Sequence, residues 1–168
     1  MDVGASTGGF TDCLLRAGAA HVTAIDVGRG QLAWSLRTDP RVTVRERTNI
    51  RDLGVGAIDP APTVCVADLS FISLRTVAPH LVAVSDSAAD HVLLVKPQFE
   101  AGREEVTKGG VVRDERVHAS CIARVALWCI EHGLRVRGVV RSGLIGPAGN
   151  REFFLWLQRP ATAEEGAA

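Results

Sequence analysis

Short apolar segments alternate with amphipathic ones along most of this chain, and that alternation limits the fold more than any other feature. Residues 3–4, 21–26 (HVTAID), 42–45, 63–67 (TVCVA), 91–96 (HVLLVK), 134–142 and 152–158 read as strands. Segments 10–17, 30–37, 74–84 and 114–132 carry helical spacing. Gly18 is placed to end the first helix, and Asp114 and Gly133 to bracket the last. Pro79 leaves the start of the 74–84 helix open. TVCVA and HVLLVK are nearly all apolar, as strands covered by helices on both faces must be. The pattern predicts an α/β fold with a mainly parallel sheet of seven strands and an antiparallel last strand. Residues 1–159 form one domain, and the Ala/Glu/Gly-rich stretch 160–168 is expected to be a disordered tail. The first strand begins abruptly at Met1-Asp2 and reads as truncated.

In an open α/β sheet, ligands sit beyond the carboxyl ends of the strands. The unusual residues fall there. After the first strand comes Asp2-Val-Gly4-Ala-Ser6-Thr-Gly8-Gly9-Phe10. Glycines between a strand and a helix let a ligand approach the backbone closely. Asp26 ends the second strand, at the distance suited to a bond with a ribose diol. A dinucleotide site would want glycine at positions 4, 6 and 9, but Ser6 occupies the middle place and would crowd a pyrophosphate. Asp2 would repel phosphate yet suits a cationic ammonium. Both features favour S-adenosylmethionine over a nicotinamide cofactor.

Three charges mark the ends of other strands. Asp68 follows VCVA, Lys96 follows HVLLV, and Glu152 opens the last strand. A charge at the mouth of a buried strand costs solvation unless it is paired or used. If these strands are neighbours, the three groups meet at one edge. Lys96 can then orient a hydroxyl, take its proton, or both, and a structural ion pair is the bland alternative. Lys96 and Lys108 are the only lysines among 19 basic residues, and lysine, unlike arginine, can lose its proton.

The motifs D-x-G-x-S-x-G-G-F-T, D-L-S-F-I-S, V-K-P-Q-F-E and G-N-x-E-F-F-L-W-L, in this order and spacing, resemble the TlyA (haemolysin A-type) branch of the FtsJ-like RNA methyltransferases. The resemblance covers nearly the whole chain, to about residue 158. It implies a Rossmann-like S-adenosylmethionine-dependent methyltransferase fold and methylation of a ribose 2′-oxygen in ribosomal RNA. It carries three members of the family's Lys-Asp-Lys-Glu tetrad onto Asp68, Lys96 and Glu152. It implies that Gly4, Ser6, Gly8, Gly9 and Phe10 line the methionine part of the cofactor, that Asp26 holds the ribose, and that Asn49 and Asp68 flank the adenine side. The family's first tetrad lysine and its S4-type RNA-binding domain have no counterpart here. A fragment that is weak or inactive alone is therefore expected.

Composition narrows the alternatives. At 168 residues, with 46% apolar and 23% charged residues, the chain suits one soluble domain. No apolar run approaches the ~18 residues of a membrane span, and no secretory signal is visible, so a cytoplasmic protein with no membrane partner is expected. Acids and bases balance at 19 each, giving no overall bias toward nucleic acid. Locally, Arg29, Arg37, Arg41, Arg45, Arg47 and Arg51 stand against only Asp39 and Glu46. Such a stripe reads as a solvated face or as a phosphate contact. Cys13, Cys65, Cys121 and Cys129 show no metal spacing and read as buried thiols; the five histidines show none either, so no metal is expected. Trp34, Trp128 and Trp156 read as core residues. Residues 102–110 read as a lid or as a mobile loop. The competing functions are a non-catalytic S-adenosylmethionine- or RNA-binding remnant and a haemolysin-like membrane-active protein. The partner expected from the resemblance is ribosomal RNA or a ribosomal subunit.

Overall fold

The β-branched and apolar runs that lack polar alternation become the centre of the sheet in the computed structural model, which describes residues 1–160. These are β1 (Asp2–Val3), β2 (Val22–Ile25), β4 (Val64–Ala67) and β5 (Asp90–Val95); β3 (Val42–Arg45), β6 (Arg135–Ile145) and β7 (Arg151–Gln158) complete the sheet. The order is β3-β2-β1-β4-β5-β7-β6. Pairs within β3-β2-β1-β4-β5 are parallel, and β7 runs antiparallel to both β5 and β6. The antiparallel last strand expected from the sequence is present, and it lies inside the sheet rather than at its edge. The expectation of a disordered tail falls on residues 161–168, outside those described.

The helices are α1 (Gly9–Arg16), α2 (Trp34–Arg37), α3 (Leu74–Val84), α4 (Pro97–Glu100) and α5 (Glu115–Glu131). Asp114 caps α5 by accepting from the Arg116 amide at 2.8 Å, and Ser73 caps α3 by accepting from the Arg75 amide. That cap fixes the start which Pro79 left open. Of the segment 30–37, only residues 34–37 are helical. Gly30 is left-handed at φ +69° and Ala33 is extended at φ −54°, ψ 141°, so the helix cannot begin before Trp34; Gly28 donates to Asp26 Oδ1 and Gly30 to Glu46 Oε1, each at 2.7 Å. Those bonds hold the backbone in a loop.

Two apolar layers pack on the sheet. The larger joins β1, β4, β5 and β7 to α3 and α5, and in it Leu81, Leu93, Leu155 and Leu157 are wholly buried. Each such side chain contributes about 1.5–3 kcal/mol. The smaller joins Leu15 of α1 and Leu36 of α2 to Val22 and Ala24 of β2. Cys65, Cys121 and Cys129 are buried, but Cys13 is exposed, because α1 turns Thr11 and Leu15 inward. Two of the three tryptophans also depart from expectation. Trp34 is 75% exposed on the short α2. Trp156 lies partly exposed under Arg137 and donates to Asp90 at 2.7 Å. Trp128 packs against the larger layer and stacks on His132. The 102–110 loop is tethered: Glu105 accepts from Gly102 and Arg124, and the buried Asn150 donates to the Gly110 carbonyl while accepting from the Val112 amide.

Candidate active site

Close approach of two strand ends makes the first part of the site. Gly4 follows β1 at φ +80°, and a Cβ there would lie 2.1 Å from the Asp68 carbonyl oxygen at the end of β4. Only glycine lets these ends meet. The chain then turns through Ser6, itself left-handed at φ 48°. The Ser6 amide donates to Asp26 Oδ2 at 2.8 Å. Gly8, at φ +100°, opens α1; a Cβ there would overlap the Leu36 side chain, with Cδ1 at 2.3 Å.

Beside this turn lies a cavity of about 490 Å³, within the range of small-molecule sites. Gly4, Ser6, Asp26, Asn49 and Asp68 border it, with Ile50, Leu69, Phe71 and Ile72 supplying apolar wall. It occupies the crevice beyond the carboxyl ends of β1 to β4, where the strand order reverses. The other candidate binding residues fall elsewhere. Asp2 is wholly buried in β1. Its Oδ2 accepts from the Thr11 hydroxyl at 2.7 Å, and its Oδ1 has no hydrogen-bond partner. Burial raises its carboxyl above the ordinary aspartate value, against the opposing Thr11 bonds. Gly8, Gly9 and Phe10 do not border the cavity. Gly9 faces open space, and Phe10 meets Phe154 edge-on at 6.0 Å.

The charged residues converge because of the sheet register. Ala67 pairs with Leu93 across β4 and β5, and Val95 with Phe153 across β5 and β7. Asp68, Lys96 and Glu152 therefore share one rim. Lys96 Nζ lies 2.5 Å from Asp68 Oδ1, an ion pair without the alignment of a hydrogen bond, and donates to Ser70 Oγ at 3.3 Å. Glu152 Oε1 accepts from Gln98 Nε2 at 3.4 Å. Burial raises the Glu152 carboxyl; Lys96 and Gln98 pull it back, and Asp68 adds a smaller upward push. Gly146 closes over this carboxylate, since a Cβ there would come within 2.5 Å of Oε1.

Ser70, Gln98 and Gln31 belong to the site and escaped the sequence reading. Ser70 and Gln98 each follow a charged member by two residues. Gln31 accepts from the Ser6 hydroxyl at 3.3 Å and borders the cavity. Part of the arginine stripe is already engaged: Arg37 pairs with Glu46, Arg41 with Asp39, and Arg51 Nε donates to Asn49 Oδ1 at 3.4 Å.

A cavity at the β1/β4 crevice, a charged trio that reaches it through Asp68 and this strand order define a domain of the S-adenosylmethionine-dependent methyltransferase fold. A Listeria monocytogenes protein of that class shares the fold at a TM-score of 0.68 and 16% identity. The chain belongs to the FtsJ-like methyltransferase family, whose model matches residues 1–159. It is 57% identical over 158 residues to the 16S/23S rRNA (cytidine-2′-O)-methyltransferase TlyA of Mycobacterium tuberculosis, covering 94% of this chain and 59% of that protein. It is 41% identical to hemolysin A of Brachyspira hyodysenteriae, covering 91% of this chain and 64% of that protein. A candidate hemolysin from Lactococcus lactis superposes with a TM-score of 0.91 at 42% identity, covering 96% of this chain and 78% of that one. The chain thus spans about three-fifths of the length of these two sequence relatives.

Proposed function

We propose that this domain transfers a methyl group from S-adenosylmethionine to a ribose 2′-oxygen of ribosomal RNA, with a cytidine as the target nucleoside. The observation that carries this reading is the contact between Lys96 and Asp68, in which Asp68 also borders the cavity. It places an ammonium group beside the space where a cofactor would sit.

The residues present fit that cofactor. Asp26 presents both carboxylate oxygens at the end of β2, already fixed by the amides of Ser6 and Gly28. Each oxygen keeps a second lone pair for a ribose hydroxyl. Gly4 leaves its backbone open to the cavity. The bound cofactor supplies an electrophilic methyl carbon on a cationic sulfur.

The rest falls to the chain. Lys96, anchored by Asp68 and Ser70, holds the 2′-hydroxyl by a remaining N–H so that an oxygen lone pair faces the methyl carbon in line. With a methyl group from the bound cofactor replacing it on the oxygen, the hydroxyl proton would pass to a carboxylate oxygen of Asp68 or Glu152, because Lys96, as a donating ammonium, has no lone pair to accept it. Glu152, steadied by Gln98, adds an attractive negative charge near the lysine without contacting it. Such positioning and proton transfer account for about 10²–10⁴-fold in rate. Lys96→Ala is expected to abolish labelling of ribosomal subunits by methyl-labelled cofactor, while calorimetric affinity for S-adenosylmethionine stays within about threefold, or less than 1 kcal/mol. Full labelling by the variant would sink the reading.

A further inference from the structure

Glu100 is a buried acid that the transfer reaction does not use. It ends α4, its side chain is only 2% exposed, and it belongs to neither the cavity wall nor the charged trio. Its carboxylate is nonetheless well occupied. Oε1 accepts from the Leu74 amide at 2.6 Å, and Oε2 accepts from the Ser73 hydroxyl at 2.7 Å. The Arg75 guanidinium stands 3.8 Å from Oε2. All of these partners lie at the start of α3, more than twenty residues away in sequence.

The two segments so joined are those that carry Asp68 and Lys96. Residues 68–73 run from the end of β4 to the cap of α3; Lys96 immediately precedes α4, and Glu100 closes it. The peptide between Asp68 and Ser73 has no regular structure of its own and includes Phe71 in a left-handed conformation at φ 64°. Phe71 meets Phe99 across the same junction with ring centroids 5.0 Å apart. The Glu100 bonds and this ring contact are the described cross-links that brace one loop against the other beyond the lysine itself.

We propose that Glu100 is a positioning residue for the transfer step: by tying the start of α3 to α4, it sets the separation of Asp68 from Lys96. This rests on the methyl-transfer reading above. A carboxylate suits the task because both facing groups are donors, an amide N–H and a hydroxyl. Charge-assisted bonds of this kind are short and about twice as strong as neutral ones. Alanine at 100 leaves the buried Leu74 amide and the half-buried Ser73 hydroxyl unpaired and lets the 68–73 loop drift. Glutamine keeps one acceptor, and the Ser73 hydroxyl can rotate to accept from the new amide.

The test uses the two-lysine composition of the chain. Lysine labelled with ¹³C at Cε gives one signal from Lys96 and one from Lys108, assigned by Lys96→Arg. In Glu100→Ala the Lys96 signal is expected to move and broaden while Lys108 stays unchanged. Turnover is expected to fall about 100-fold, the usual cost of an ångström-scale misplacement, with KM for S-adenosylmethionine changed less than fivefold. Glu100→Gln is expected to recover at least tenfold of that loss and to return the Lys96 signal toward its original position. An unmoved Lys96 signal in Glu100→Ala overturns the proposal, as does equal loss in KM and turnover. If Glu100→Ala does not fold, Glu100→Asp, a carboxylate one methylene too short to keep both partners, takes its place: a Lys96 signal and turnover identical to the parent, or an equal change in the Lys96 and Lys108 signals, overturns the proposal. The spectrum needs no turnover, so a parent protein that binds no S-adenosylmethionine in calorimetry would count against the methyl-transfer reading without touching the Glu100 result.

Discussion

A carboxyl group kept from water and set near another carboxylate holds its proton longer than a free one, and Glu152 is so placed. Its folded-state pKa is raised, chiefly by burial. Ionisation is then less favourable in the folded chain than in the unfolded one. The stability associated with this group is complete below the ordinary glutamate value near 4.3 and is lost as pH rises through the raised value. At neutral pH the protein therefore carries a cost at Glu152, as functional sites commonly do. Glu152→Gln is expected to melt at a higher temperature than the parent at pH 7, with the difference vanishing near pH 3.5. The same variant is expected to lose methyl transfer, because a neutral amide no longer balances the Lys96 charge or takes up a proton. Thermal melts at the two pH values check this, and a lower melting temperature at pH 7 would refute it. Asp68, Lys96 and Glu152 were legible in the sequence because a charge at the end of an apolar run has to be explained. Ser70 and Gln98 were not, because polar residues in an apparent loop carry no such penalty until the fold aims them at a partner.

Elements were legible to the extent that their own side chains decide them. The apolar strands and α5 lie where periodicity and capping residues put them. Residues 30–33 do not, because Gly30 takes a left-handed backbone and the Ala33 amide donates to the distant Thr7 carbonyl. α4 is too short for periodicity to reveal, which hid the burial of Glu100. The turn after β1 shows the same division between neighbouring glycines. Gly4 is required by its left-handed backbone and by the Asp68 carbonyl 2.1 Å from the position of a Cβ, whereas Gly9 has nothing within 4 Å of that position. Gly4→Ala is expected to cost about 1–3 kcal/mol from backbone strain, with a further penalty from pushing β1 and β4 apart, and to weaken S-adenosylmethionine binding. Gly9→Ala is expected to remain within about 1 kcal/mol of the parent. Chemical denaturation and calorimetric titration of the pair test this; equal effects at the two positions would mean that the β1–β4 junction is not what Gly4 serves.

At the scale of the whole molecule, the strand order decides which residues end in the dry interior and which at the reactive rim, and no local pattern announces that order. His91 illustrates the consequence. It begins the apolar run that ends in Lys96, yet it lies at the far end of β5 from the rim and is 1% exposed among Cys65 and Leu157 on the neighbouring strands. Its ring nitrogens form no aligned hydrogen bond, and burial, assisted by Arg159, depresses its pKa. For a base, a depressed folded value means that the unfolded chain takes up the proton first. Stability is then complete above the ordinary histidine value of about 6.5 and falls as pH drops through it toward the folded value. Replacing the ring by an apolar side chain of similar size removes both the buried unpaired nitrogens and the proton linkage. His91→Leu is expected to gain on the order of 1 kcal/mol at pH 7, or about 2–4 °C in melting temperature for a chain of this size. The gain widens between pH 6.5 and pH 5, where the parent weakens and the variant does not. Because His91 is remote from Asp68 and Lys96, cofactor affinity and turnover stay unchanged across that range. A constant difference in melting temperature from pH 8 to pH 5 would show that His91 does not carry the acid sensitivity of the fold.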